Sequence, residues 1–427
     1  MVLVTLSFNM KILLKNTTVL EQKSPFHSKT VDILITDGKI TDISENINVS
    51  AELIVSKKNL HVSSGWFDSS VCFGEPGFED RETIENGLKT ASHSGFTDIC
   101  LQPNTSPKID NKSILSFLKT RASEYPCRIH PIACFSIDGN GEKMTEFYDL
   151  HKGGAIAFGD FLTPIKNPNL LKSALLYIQT FNGLIISTPR DPYINLNGLV
   201  NEGIKSTHLG ISSIPSIAET IQIQRDISIL EYTGGKLHIP YISSSKSVDI
   251  IRTAKKNGLN ISASVPIANL IFNDNILDGF NSNYKLFPPI RDKDDQKRLK
   301  EGILDGTIDI VTSHHQPVNS ESKQIDFNSA EYGTISLETM FGLLNKIFSI
   351  EKVIDLLTKG RSIFNIEEPK IEIGAKACLT FFDPSKRDVF DEEKIMSTSK
   401  NCAFIDTEII GKVYGCINEN KIYYLQK

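Results

Sequence analysis

Chemistry-bearing side chains sit at strand-like spacing in "GWFDSSVCF" (65–73), where Ser70 and Cys72 stand two residues apart. Residues i and i+2 of a strand share a face, and two histidines placed so would meet one metal ion. Here the positions hold a hydroxyl and a thiol. Serine is a poor neutral zinc ligand, and a lone thiolate does not make a site. Both are expected to be small packed residues. A second cluster is His314 and His315 in "IDIVTSHHQP". Adjacent residues of a regular strand face opposite sides, so the pair is not expected to serve one metal. Cys72 with His314 could form a thiolate–imidazolium nucleophile, which spacing neither supports nor excludes.

These residues fall in a regular alternation. Eight short apolar runs are "WFDSSVCF", "FTDICLQP", "RIHPIACF", "GAIAFGD", "GLIISTP", "KLHIPYIS", "NISASVP" and "IDIVTS". Amphipathic stretches separate them. The longest, "IPSIAETIQIQRDISILEYTGG", carries apolar Ile214, Ile217, Ala218, Ile221 and Ile227 and stops at a glycine pair. Eight strand–helix alternations over residues 64–365 predict a parallel (β/α)8 barrel. Residues 1–63 and 366–427 read as strands and turns, with "DG" at 37–38 marking a hairpin. Neither end has enough apolar mass to fold alone, so the two are expected to pair into one small sheet domain outside the barrel.

Composition removes several classes of function. The 427 residues carry 46 basic and 51 acidic side chains, a net charge of −5. That gives no electrostatic reason to expect nucleic acid or an anionic membrane as partner. No apolar run approaches the roughly 18 residues of a membrane helix, and the opening "MVLVTLSFNM" alternates like a strand rather than a leader. Seven cysteines, an odd number without a CxxC, read as free thiols, and the chain is expected in the cytoplasm.

The segment "SSGWFDSSVCFGEPGFEDRETIENGLKTASHSGFTDICLQPNTSP" resembles the type I dihydroorotase branch of the amidohydrolase superfamily, which reads PG-x-ID-x-H-x-H-x-REPG, then a helix, GGFT and MPNT-x-P. "KLHIPYISSSKSVDIIRTAK", "NYKLFPPIRDKDDQKRLKEGILDGTIDIVTSHHQP" and the closing "NCAFIDTEIIGKVYGCINENKIYY" continue the likeness in order. The resemblance implies an amidohydrolase barrel with a small composite β-sandwich from both chain ends, and a site whose zinc polarises a bridging hydroxide and the ring amide carbonyl of dihydroorotate, with an Asp moving the proton.

Carried over residue by residue, the ligand positions are Ser70, Cys72, Asp160, Thr188 and Tyr241, and the base position is Ser313. Only Asp160 keeps its type. If buried without metal, it needs donors such as backbone N–H groups, Thr188, Tyr241 or a histidine, or else a raised pKa. His238 is retained but is not a ligand in the family pattern. The substrate-gripping arginine corresponds to Gly74; Asn104 is kept, and His314 completes the substrate-like pocket. No zinc or other cofactor is expected. The resemblance implies a catalytically inactive partner of aspartate carbamoyltransferase in pyrimidine biosynthesis, itself a homodimer. The alternatives are a working dihydroorotase with an atypical site and a ligand-sensing binding protein.

Overall fold

The computed structural model describes residues 2–5, 10–194 and 197–425. At its centre are eight parallel strands: β1 (Trp66–Val71), β2 (Phe96–Leu101), β3 (Arg128–Ala133), β4 (Ala157–Phe158), β5 (Ile185–Ile186), β6 (Leu237–Ile239), β7 (Ile261–Pro266) and β8 (Ile310–Thr312). They lie side by side in chain order. The ring closes where Val71 pairs in parallel with His315 and the Cys72 N–H donates to the His315 carbonyl at 2.8 Å. Each strand arises from one of the eight apolar runs, and the (β/α)8 reading holds.

Period-2 alternation divides the strand residues between two cores. Phe67, Cys100, Ile132, Ala157, Ile186 and Ile310 pack with Phe364 in one buried cluster. Their neighbours Ile99, Leu101, Ala133, Phe158, Ile185 and Val311 belong to the larger core with the helices. His238 on β6 is buried, its two ring nitrogens held by Ser262 Oγ at 2.8 Å and Ser264 Oγ at 3.1 Å. Burial pushes it down to about 3, so it is a neutral packed residue.

The helix Ile217–Thr233 forms where the sequence predicts it and ends at Gly234, whose N–H donates to the Leu230 carbonyl. Its apolar pattern misplaces the buried face, however. Ile217 and Ile221 are exposed, while Glu219, Gln222 and Asp226 are buried with Ala218, Ile223 and Leu230. Hydrogen bonds make this tolerable. Glu219 accepts from the N–H groups of Ser243 and Ser244 at 2.9 and 3.0 Å and from Ser247 Oγ at 2.5 Å. Asp226 takes Ser187 Oγ at 2.6 Å and Arg225 at 2.7 Å. The helix is thus a clamp on the loops after β5 and β6.

Both chain ends meet in a nine-stranded sheet. His61–Ser64 joins them, running parallel to Lys11–Val19 and antiparallel to Cys378–Phe390. Val2–Thr5 pairs antiparallel with Lys421–Tyr424. Asp37 and Gly38 both take left-handed φ, +50° and +71°, the turn that suits the twist of a two-residue hairpin. Ile12, Leu14, Ile33 and Ile35 from one end pack with Leu379 and Phe381 from the other. No helix among the described residues is long and apolar enough to cross a membrane.

Candidate functional site at the barrel mouth

Three of the sequence-derived positions converge. Ser70 lies one residue before the end of β1, Tyr241 follows β6 and His314 follows β8. Ser70 Oγ lies 2.8 Å from Tyr241 Oη and 3.3 Å from His314 Nδ1. The Tyr241 and His314 rings are 4.1 Å apart at centroid, and the Phe161 ring stands against both at 6.5 and 5.9 Å. Burial pushes His314 down to about 4 and holds the Tyr241 phenol well above its ordinary range. At neutral pH the cluster is therefore an uncharged chain of hydroxyl, phenol and imidazole. Its remaining ring nitrogen, His314 Nε2, is buried without a hydrogen-bond partner.

Phe161, Tyr241 and His314 all have left-handed backbones, φ +53°, +55° and +50°. Bulky residues adopt this region at a cost of order 1–3 kcal/mol each and keep it only where the surroundings impose it. For Tyr241 the imposing element is the Glu219 clamp on Ser243 and Ser244. For His314 it is Asp68, two residues before Ser70. Asp68 accepts from the N–H groups of Ser70 and Ser313, each at 3.0 Å, and from Thr312 Oγ1, so it ties β1 to β8. Burial raises its carboxyl while the bonds to Ser313 and Thr312 oppose the rise. Sequence reasoning missed Asp68; the signal was a carboxylate inside a run of otherwise apolar and small residues.

His314 and His315 do face apart, but not through strand alternation. β8 ends at Thr312, and the left-handed turn at His314 sends His315 inward. His315 Nδ1 accepts from the N–H groups of Ser336 and Leu337 at 3.1 and 3.4 Å, and burial pushes it down to about 3. Ser313, at the family's base position, receives the His315 N–H on its Oγ at 3.2 Å, and its carbonyl accepts Ser336 Oγ at 2.6 Å.

The other candidates are not bonded into this cluster. Cys72 is buried, and burial pushes its thiol far above the usual range. His314 gives its Nδ1 to Ser70, so the thiolate–imidazolium pair allowed by the sequence is not assembled. Thr188 Oγ1 donates to the Phe161 carbonyl. At Gly74 a Cβ would stand 1.7 Å from the Phe78 carbonyl oxygen. No side chain fits this loop as it is folded, the family's arginine included. Asn104 Oδ1 is buried without a hydrogen-bond partner. Ala268, Asn269, Phe287, Ser313 and His314 help line a cavity of about 10 Å³, room for roughly one water molecule.

Asp160 follows β4. Its Oδ1 accepts the Ser136 N–H at 3.0 Å and its Oδ2 accepts Ser136 Oγ at 2.5 Å. A backbone N–H is among the donors the sequence suggests. The sequence also suggests Thr188, Tyr241 and a histidine, but none of them bonds Asp160; the side-chain partner is Ser136. Burial raises Asp160 to about 6, with Ser136 opposing. A carboxyl raised in the fold keeps its proton longer there, so stability falls as pH rises from about 4 to about 6. The cost above that window is roughly 2–3 kcal/mol. Asp160→Asn should therefore stabilise the protein by about 1–2 kcal/mol at pH 8 and by almost nothing at pH 4, read from urea unfolding at both values. A loss of stability at pH 8 would instead mark the carboxylate as ligated.

Among the described residues, no group of three or more His, Cys, Asp or Glu is placed to hold a metal ion. A family model described as Dihydro-orotase-like matches residues 61–247. The dihydroorotase of Pelotomaculum thermopropionicum is 32% identical over 404 residues, 92% of this chain and 94% of that one. The chain belongs to the dihydroorotase family. Dihydroorotase of Bacillus subtilis is 33% identical over 423 residues, 97% of this chain and 98% of its own. In fold the chain is similar to L-hydantoinase (dihydropyrimidinase) from Arthrobacter aurescens, TM-score 0.84 at 20% identity, covering 99% of this chain and 98% of that one. A D-hydantoinase superposes with TM-score 0.81 at 18% identity, covering 97% and 95%.

Two residues of one dihydroorotase-family signature are architectural. In "KLFPPIR", Lys285 Nζ donates to the Asn328 carbonyl at 2.8 Å. Arg291 is buried and donates to Ser243 Oγ, Asn201 Oδ1 and the Ile214 carbonyl at 2.8–3.0 Å. Its other nitrogen lies 3.5 Å from Glu219, so this arginine belongs to the clamp that shapes the Tyr241 loop.

Proposed function

We propose that this dihydroorotase-family chain serves pyrimidine biosynthesis as a non-catalytic protein rather than as a metal hydrolase. The observation that carries the reading is the Ser70–Tyr241–His314 cluster, which fills two of the family's ligand positions with hydroxyls bonded to one another. The groups at those positions do not fit zinc. Tyr241 and Ser70 are neutral partners, Cys72 keeps its proton, and both oxygens of Asp160 are taken by Ser136. Zinc affinity needs several deprotonated ligands meeting in space.

The useful property of such a chain is binding. We propose a homodimer that engages aspartate carbamoyltransferase and holds it in an active assembly. Affinity purification from the native cell should recover that enzyme, and deletion of this chain should reduce its assembly or activity. Ser313→Ala should leave the association unchanged, since a scaffold role does not use the chemistry of the mouth. An enzyme fully assembled and active without this chain, with no partner recovered, refutes the scaffold role.

A second reading is a working dihydroorotase, opening dihydroorotate to N-carbamoyl-aspartate. What favours it is whole-length identity of 32–34% to proteins bearing that name. A third is ligand sensing, favoured by the orphaned His314 Nε2 and Asn104 Oδ1. Thermal stabilisation by dihydroorotate or N-carbamoyl-aspartate without turnover would select it.

A further inference from the structure

Away from the mouth, a cleft of about 290 Å³ opens between the barrel and the terminal sheet. Its apolar walls are Phe341 from the helix Met340–Ile347, Phe390 from the strand Cys378–Phe390, and Ile409 and Val413 from the strand Thr407–Asn418. Its charges are unequally matched. Lys394 is neutralised by Asp388 at 3.0 Å and Asp391 at 2.9 Å. Glu338 spends its oxygens on the Met396 and Ser397 N–H groups and on Ser397 Oγ. Lys386 and Lys412 form no salt bridge among the described residues, and they lie within reach of each other, like charge against like. Burial and then Lys386 lower the Lys412 ammonium, with Asp388 opposing. His93, on the barrel side, is half-buried, and desolvation, with Lys412 contributing, pushes it down to about 4. It is a neutral hydrogen-bonding group facing the same space.

Two ammonium groups beside an apolar floor share a single nearby carboxylate, Asp388, which is itself bonded to Lys394, so their positive charge is only partly offset. We propose that this cleft is a binding site for a small organic anion: a flat apolar body between Phe341, Phe390 and Ile409, and a carboxylate or phosphate bridging Lys386 and Lys412. Clefts between domains are common ligand sites, and a bridging anion would turn the lysine repulsion into two charge-assisted hydrogen bonds. The site stands whether or not the mouth is catalytic.

The test uses the full-length protein at 0.15 M salt with benzoate, phenyl phosphate and, as neutral isostere, benzamide, followed by calorimetry and ligand-observed magnetic resonance. At least one of the two anions should bind saturably and about tenfold or more tighter than benzamide. Lys386→Met and Lys412→Met, which keep the apolar stems, should each weaken it about tenfold. Lys370→Gln, which removes the same charge from an exposed lysine paired with Glu372, should not. Benzoate and phenyl phosphate distinguish a carboxylate from a phosphate ligand. Equal binding of benzamide, indifference to both lysine variants in folded protein, or no saturable binding of either anion up to about 10 mM overturns the site.

Discussion

Purified without added metal and incubated with dihydroorotate or N-carbamoyl-aspartate, the protein should convert neither above the buffer rate. Enzymes gain a millionfold or more over solution, so the expected loss is the whole of that factor. That expectation follows from the residues at the family's chemical positions. Ser313 offers no proton shuttle at the base position, and neutral His314, held near 4, is a weak base. Asp160 is suitably raised but turned to Ser136. The cavity beside Ser313 and His314, about 10 Å³, has no room for a six-membered ring. Restoring Ser70→His and Cys72→His together should not rescue turnover. The new imidazoles would have to displace the Tyr241–His314 stack, and Thr188, Tyr241 and Ser313 would still be wrong. Turnover that survives chelation and vanishes in Cys72→Ser would vindicate the thiol. Stoichiometric zinc lost on mutating Cys72 or Asp160 would vindicate the metal.

The second large effect lies at a buried ion network. Asp98 on β2 accepts Arg361 at 2.6 Å, Arg128 at 2.8 Å and His130 at 2.8 Å, and Asp98 and Arg361 are both fully buried. Burial alone would raise Asp98; Arg361, His130 and Arg128 outweigh it and hold the carboxyl well below its ordinary range. Asp98→Ala leaves Arg361 buried with only Thr97 Oγ1 and the Trp66 and Thr358 carbonyls. Removing one partner of such a pair costs about 3–5 kcal/mol. Urea unfolding should show a much lower midpoint at unchanged slope. Asp98→Ala with Arg361→Met should cost less than the two separate losses summed, because no charge is left stranded. The pair's contribution is complete above about pH 4 and is lost only as pH falls further, through the depressed folded pKa. An Asp98→Ala protein as stable as the parent would mean water reaches Arg361.

Much of the barrel was legible because buried parallel strands read as short apolar runs, and each of the eight produced a strand. The DG hairpin was legible because Asp and Gly tolerate the left-handed turn. At the mouth, substitutions at Ser70, Cys72, Thr188, Tyr241 and Ser313 were visible as residue types, but their partnerships were not. Ser136 caps Asp160 from 24 residues away, and Tyr241 meets Ser70 across 171. Local periodicity carries no information on such pairs. The helix Ile217–Thr233 misled for a related reason. Its buried face is polar because serines far along the chain satisfy Glu219 and Asp226. The obstruction at Gly74 depends on where the Phe78 carbonyl turns, which composition does not record.

The strand His61–Ser64 completes its pairing only with Cys378–Phe390, about 300 residues later in the chain. At ribosomal rates of about 5–20 residues per second, the amino-terminal strands wait roughly 15–60 s for their neighbours to be made. Throughout that interval one edge of His61–Ser64 stands unpaired while the barrel is being built beside it. Unpaired strand edges recruit other chains. Production of this protein in quantity should therefore be limited by how well nascent amino-terminal segments are shielded, and slower translation should lower the soluble yield rather than raise it.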